Sequence, residues 1–184
     1  MQTNLLKADL SQLLIVDVQT RLIGVMPKAD MVACLKQSGI LAKAAALLAV
    51  PIILTEQYPK GLGQTDPALM AQLTGVTPVE KTAFSCLAEA KVTRQFSRDR
   101  SQIVLAGMEA HICILQTALD LIAADKQVCV AEDAIISRSP ANKANALSRM
   151  RDAGCIISNT ESIVFEWLGR AEGDAFKKIS QLIR

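Results

Sequence analysis

Six short apolar runs, separated by stretches of helical periodicity, limit most strongly what this chain can fold into. The runs are apolar without clean alternation, which is typical of parallel strands covered on both faces. They predict strands at 13–16, 51–55, 78–80, 103–106, 127–131 and 155–158. The intervening patterns predict helices near 30–49, 67–73, 86–97, 112–124, 141–153, 160–168 and 173–183. Strands alternating with helices indicate a three-layer α/β/α sandwich, doubly wound around a mostly parallel, six-stranded Rossmann-like sheet.

Composition narrows the class of protein. The 184 residues are 51% apolar, which suits one domain spanning 1–184 with a sizeable core. The net charge of +2 comes from well-mixed acidic and basic residues without a Lys/Arg stripe, so no nucleic-acid partner is expected. No segment approaches the roughly 20 apolar residues of a membrane span. The five cysteines lack paired or CxxC spacing, which argues against disulfides and zinc and suits a reducing cytoplasm.

Three residues of complementary chemistry follow three of the predicted strands. Asp17 comes after the first strand, Lys81 after the third and Cys113 after the fourth, near the start of a helix. Taken singly they are ordinary: a loop carboxylate, a solvated lysine and a packed cysteine. In a doubly wound sheet, however, ligands bind outside the carboxyl ends of the strands. The sequence therefore predicts that an acid, a cation and a thiol meet at one sheet edge.

This set is sufficient for nucleophilic catalysis. A helix N-terminus and a nearby ammonium both favour the thiolate. We therefore expect a depressed pKa for Cys113 and faster alkylation than at the other four cysteines. The carboxylate of Asp17 can take the thiol proton and return it to a leaving group. Backbone amides around 107–113 can face a developing oxyanion.

Two alternatives to this assignment stay open. His111, the one histidine, precedes Cys113 by two residues and is a rival base, although residues two apart on a helix point in different directions. We interpret it as a pocket-wall or turn residue. Cys86 also follows a strand and begins a helix, but it lacks an acid at equivalent spacing and reads as core or pocket lining. The remaining cysteines read as packing: Cys34, Cys129 and Cys155.

Further polar residues lie at the same predicted edge. Gln19, Gln57 and Tyr58 are candidates for the substrate pocket, with ordinary loop hydrogen bonding as the alternative. Gly61 and Gly63 read as turn residues. No phosphate-binding glycine motif occurs, so no nucleotide or other cofactor is expected.

Four motifs surround the residues discussed above: LLIVDVQ with Asp17 and Gln19, TEQYPKGLG from Thr55 to Gly63, EKTAFS with Lys81, and GMEAHIC with Cys113. Together they resemble the isochorismatase-like cysteine hydrolase superfamily, and among its members the isochorismatase-domain-containing proteins. DAIISRSP and the closing FKKISQLI match as well, so the resemblance covers nearly the whole chain. The combination of Asp, Lys and Cys with GMEAHIC is specific, whereas each motif alone is weak.

The resemblance implies the isochorismatase-like hydrolase fold and a catalytic triad. Asp17 would be the general base, Lys81 would stabilise the thiolate and position the acid, and Cys113 would attack a carbonyl carbon to form a thioester. It also implies a cis peptide bond between Met108 and Glu109, with the amides of Glu109 and Cys113 as an oxyanion hole. A homo-oligomer is a further implication. The EWLG end of the helix near 160–168 and the C-terminal helix are apolar enough to bury against a partner.

Two departures from the superfamily shape the expected activity. Nicotinamidases hold a metal with histidines after the second strand, but TEQYPKGLGQTD has none, so no metal is expected. Isochorismatases proper lack the cysteine present here, which makes hydrolysis of a small amide-type substrate the better prediction. The alternatives are an interaction protein with weak turnover and a thiol-based redox protein.

Overall fold

A computed structural model describes residues 4–183 and has a twisted sheet at its centre. Within these residues six parallel strands are ordered β3-β2-β1-β4-β5-β6. Their bounds are β1 Ser11–Val16, β2 Ile52–Gln57, β3 Val79–Lys81, β4 Gln102–Met108, β5 Gln127–Ile136 and β6 Ile156–Ser158. The predicted three-layer fold is thus confirmed, and the sheet is wholly rather than mostly parallel.

Helical segments connect the strands. The α-helices are α1 Thr20–Ile23, α2 Lys28–Leu47, α3 Pro59–Leu62, α4 Pro67–Met70, α5 Ala90–Thr93, α6 Leu115–Ala123, α7 Pro140–Asp152, α8 Thr160–Leu168 and α9 Gly173–Ile183. A 3₁₀ turn at Cys86–Ala88 precedes α5, and a π-helical turn at Ala110–Ile114 leads into α6. Among the helices of residues 4–183, none has the length and apolar character that crossing a membrane requires.

The two faces of the sheet bury separate apolar clusters. Leu13 and Ile15 point into a cluster that includes residues of α2, α8 and α9, whereas Leu14 and Val16 point into one that includes residues of α6 and α7. This division follows from the two-residue period of a strand. It explains why β1, with all six residues buried, reads as a continuous apolar run.

Several predicted boundaries were wrong. The helix predicted at 86–97 is a 3₁₀ turn followed by the short α5, and the one at 67–73 is the short α4. The strand predicted to end at 131 continues to Ile136, because β5 shifts register and pairs again with Gly107 and Met108 of β4. Polar Glu132 and Asp133 inside this extension gave the appearance of a strand end.

The two C-terminal helices bury apolar side chains in the core of this chain. Trp167 of α8 is 5% exposed and Ile179 of α9 is 0% exposed, and both belong to the cluster around α2. The EWLG segment and α9 are therefore not free to bury these side chains against a partner, contrary to what their apolar pattern suggested.

Candidate active site

The strand order places the predicted triad at the point where the sheet reverses its winding. β1 and β4 are neighbours, so Asp17 after β1 lies beside the turn that carries Cys113 after β4. Lys81 is the last residue of β3, two strands away from β1, and its long side chain reaches across β2. Such a switch point is where α/β sheets generally bind ligands.

Asp17 and Lys81 form a buried ion pair. Lys81 Nζ lies 2.7 Å from Asp17 Oδ2, and both side chains are 0% exposed. The ammonium also donates to Gln57 Oε1 at 2.6 Å and to the carbonyls of Ala83 and Phe84 at 3.2 Å each. These acceptors offset the free-energy cost of removing the charged lysine from water, which a buried cation requires.

The second oxygen of Asp17 is held by β2. Thr55 Oγ1 donates to Asp17 Oδ1 at 2.8 Å, and the amide of Asp17 donates to the carbonyl of Thr55 at 3.1 Å. The backbone φ of Asp17 is +52°, in the left-handed region that few residues other than glycine adopt. This backbone outlier at a strand end is typical of a functional site.

Ionisation in the site is governed by burial and by mutual contact. Burial raises the pKa of the Asp17 carboxyl, and the ammonium of Lys81 opposes this without cancelling it. Burial alone would lower the pKa of Lys81, but the charges of Asp17 and Cys113 reverse the effect and raise it. The Cys113 thiol lies within hydrogen-bonding reach of the Asp17 carboxyl. The acid thus contacts both other members of the predicted triad.

The expected depression of the Cys113 pKa was wrong. Burial and the neighbouring Asp17 carboxylate raise the pKa of this thiol to about 12, and Lys81 lowers it only in part. At neutral pH the resting Cys113 thiol is therefore neutral.

Cys113 should nevertheless alkylate before Cys34, Cys86 and Cys129, because it is the most exposed of these four cysteines. Cys155 is nearly as exposed and burial raises its pKa only to about 11, so its rate should be comparable. Cys113 is 7% exposed, against 5% for Cys155, 2% for Cys34 and 0% for Cys86 and Cys129. Since only thiolate reacts and the pKa of Cys113 is about 12, its rate should rise roughly tenfold per pH unit between 7 and 10. Brief iodoacetamide treatment followed by peptide mass spectrometry measures the order of labelling and its dependence on pH. The Cys113→Ser variant gives the background. First labelling at Cys34, Cys86 or Cys129 would contradict this ranking.

The turn after β4 begins at a cis peptide bond and is held by backbone and side-chain contacts of Glu109. The peptide bond between Met108 and Glu109 is cis, as the resemblance implied. The carbonyl of Glu109 accepts from the amides of Ile112 at 3.1 Å and Ile114 at 3.3 Å. The Glu109 carboxylate, 6% exposed as a residue, accepts from the amide of Arg138 at 2.9 Å and so ties this turn to the end of β5.

The remaining predicted site residues take different positions. Gln19 is 0% exposed, and its amide side chain bonds the backbone of Gln57 and Gly63. Gln57 itself contacts Lys81, whereas Tyr58 is half exposed and lines a cavity of about 230 Å³ that Lys81 borders. These are hydrogen-bonding roles for Gln19 and Gln57, and Tyr58 has the surface to line a pocket.

The side chain of His111 contacts Ser137. Its Nδ1 is 3.0 Å from Ser137 Oγ, beyond the end of β5. Cys86 is fully buried, its amide bonds Thr117 Oγ1 at 3.0 Å, and burial raises the pKa of its thiol to about 11. Neither residue combines access with a contact to Asp17 as Cys113 does. Among residues 4–183, no group of three or more His, Cys, Asp or Glu has an arrangement that holds a metal ion.

One contributor to the site escaped the sequence reasoning. Thr55 appeared there only as the first letter of a motif, yet its hydroxyl binds the acid directly. A polar residue ending the apolar run IILT, one strand away from Asp17, was the available signal. Reading it required the register between β1 and β2, in which Thr55 is the partner of Val16.

Comparison with known proteins assigns the chain to a family. Residues 11–162 match the isochorismatase domain. The chain belongs to the isochorismatase family. It is 42% identical over 144 residues to the bovine isochorismatase domain-containing protein 2, covering 78% of this chain and 70% of the bovine protein. Family membership makes the chain a member of a hydrolase group and confirms the resemblance inferred from the motifs.

Solved structures of this fold superpose closely. The MAR1 ribonuclease of Caenorhabditis elegans has a TM-score of 0.90 at 32% identity, covering 97% of this chain and 91% of that one. The YcaC gene product of Escherichia coli, described as an octameric hydrolase of unknown specificity, has a TM-score of 0.87 at 20% identity. Its alignment covers 99% of this chain and 92% of that one, and at this identity it speaks for the isochorismatase fold alone.

Proposed function

We propose that this isochorismatase-family chain is a metal-independent cysteine hydrolase that cleaves a C–N bond of a small amide-type substrate. The observation that carries the proposal is the Asp17 carboxyl, which contacts the Lys81 ammonium on one side and the Cys113 thiol on the other. Cys113 is the nucleophile, Asp17 the base and Lys81 the cation that keeps the acid ionised.

In the first half-reaction Cys113 Sγ attacks the amide carbon while the thiol proton moves to Asp17. The resulting oxyanion is stabilised by the backbone amides of Glu109 and Cys113. Asp17 then gives its proton to the nitrogen as the C–N bond breaks, so an amine leaves and a thioester remains on Cys113. The neutral resting thiol suits this order, because the proton is transferred only when the carbon is attacked.

In the second half-reaction water attacks the thioester carbon and Asp17 takes its proton. The C–S bond breaks, Asp17 returns the proton to the sulfur, and the carboxylic acid product leaves. The sum is one amide and one water converted to one acid and one amine. Tyr58 lines a cavity that Lys81 borders, but neither Asp17 nor Cys113 lines it, so this cavity would hold only a part of the substrate remote from the reacting carbon.

A panel of small amides and esters, watched by intact-protein mass spectrometry, should give an acyl adduct on Cys113 that disappears with time. Incubation with EDTA should leave turnover unchanged, because the sequence offers one histidine and no histidine cluster after the second strand. Oxidised Cys113 without any acyl adduct would favour the thiol-based redox alternative. Loss of activity with EDTA, restored by zinc, would rule out the metal-free reaction.

A comparison of two cysteine variants with the same panel shows whether the adduct forms on the proposed nucleophile. Cys113→Ser should abolish the adduct, whereas Cys155→Ser, a change at a buried cysteine outside the ion pair, should keep it. Because the C. elegans neighbour is named a ribonuclease, a short RNA belongs in the panel. RNA cleavage that survives Cys113→Ser would contradict the proposed nucleophile.

We also propose that the chain is a homo-oligomer. The support is a set of large apolar side chains left in solvent, which includes Val25 at 60%, Val32 at 70% and Phe84 at 53% exposure. The octamer named for the E. coli neighbour points the same way. Light scattering after size exclusion should give a multiple of 19.8 kDa. A monomer that persists at high protein concentration would contradict the proposal.

A further inference from the structure

We propose that Thr55 is a positioning residue that keeps Asp17 oriented and ionised for proton transfer, an inference that rests on the proposed cysteine hydrolase function. Its hydroxyl donates to Asp17 Oδ1 at 2.8 Å, and both residues are 0% exposed. Lys81 holds the other oxygen at 2.7 Å. The carboxylate is thus fixed at both oxygens before a substrate arrives.

The position of Thr55 follows from the sheet. In the β1–β2 register Thr55 is the partner of Val16, so its backbone and its side chain both lie beside the residue that follows β1. Two residues further along β2, Gln57 bonds Lys81 Nζ at 2.6 Å. Residues two apart on a strand share a face. On this face of β2, Thr55 therefore binds the acid of the ion pair, and Gln57 binds its cation.

The Thr55 hydroxyl and the burial of Asp17 shift the pKa of the carboxyl in opposite directions. A hydrogen bond donated to a carboxylate favours its charged form, whereas burial favours the neutral form. In this site burial is the larger influence on Asp17. The Thr55 hydroxyl and Lys81 together limit that influence, so removal of the hydroxyl leaves Asp17 protonated to a higher pH. A protonated Asp17 cannot accept the proton of Cys113.

Thr55→Val removes the hydroxyl with little change in shape, Thr55→Ser keeps it, and Thr55→Ala serves where valine is not accommodated. Thr160→Val is the matched control, because the Thr160 hydroxyl also donates to a carboxylate, that of Asp133 at 2.9 Å, outside the site. The direct measurement is a ¹³C NMR titration of the Asp17 carboxyl. It reads Asp17 without needing any substrate.

The titration should move to higher pH in Thr55→Val and Thr55→Ala, return close to wild type in Thr55→Ser, and stay unchanged in Thr160→Val. With a hydrolysed amide from the panel, the acid limb of kcat should shift in the same direction. At pH values near that limb kcat should fall roughly tenfold with KM little changed.

An unmoved Asp17 titration in Thr55→Val, or equal shifts in Thr55→Ser and Thr55→Val, overturns the positioning role. A protein that hydrolyses none of the panel while its Asp17 titration still depends on Thr55 overturns the proposed hydrolase function instead. In that case the hydroxyl still governs the acid, but the acid does not serve this reaction.

Discussion

Replacing Asp17 with asparagine should lower turnover by about 10²- to 10⁴-fold, the range that general base catalysis generally contributes. The amide keeps the shape of the carboxylate and can still accept from Thr55, but it cannot take the proton of Cys113. His111→Gln should cost far less, because the imidazole contacts Ser137 rather than the acid. The comparison is made on kcat with the same hydrolysed amide.

The buried ion pair requires a control for stability. Breaking it from either side leaves an unpaired charge that is 0% exposed, which is expected to cost about 3–5 kcal/mol of unfolding free energy. Lys81→Ala should therefore lose both activity and stability. The doubly neutral variant Asp17→Asn with Lys81→Met should recover much of the stability and stay inactive. If His111→Gln were inactive and Asp17→Asn kept near-full activity, the assignment of the base would be wrong.

Gly107→Ala should reduce the unfolding free energy by roughly 4 kcal/mol or more, the size of effect that only a few mechanisms produce. Gly107 has a φ of +115°, and a Cβ at this position would lie 2.1 Å from the carbonyl oxygen of Val16. That oxygen belongs to β1, whose backbone is paired on both sides by β2 and β4 and cannot move away. Chemical denaturation of the purified variant measures the loss.

Gly154→Ala separates the steric clash from backbone strain. Gly154 also has a positive φ, +96°, but a Cβ there would meet nothing within 4 Å. Its replacement should cost about 1–2 kcal/mol, as expected for an alanine forced into this region. Equal losses in the two variants would show that the close approach of β4 to β1 is not what requires Gly107.

The sequence alone determined the outline of this protein. Continuous apolar runs predicted a parallel sheet, because strands covered on both faces have no polar side to alternate with. Residues that follow such strands must gather at one edge, so Asp17, Lys81 and Cys113 were predicted to lie together without any knowledge of their distances. The family could also be inferred, because GMEAHIC with the Asp and Lys spacing is specific.

Only the tertiary structure decided how these residues act on one another. The pKa of Cys113 rises rather than falls because the thiol is buried and faces the Asp17 carboxylate, and Lys81 offsets this only in part. Such a balance depends on burial and on distances of a few ångströms. The roles of Thr55 and His111 were decided by contacts with residues distant in sequence, Asp17 and Ser137. A sequence pattern reports which side chains are buried on each element. It carries no information on which of them lie within hydrogen-bonding distance across strands, because that depends on register, and register is fixed only when the whole sheet packs.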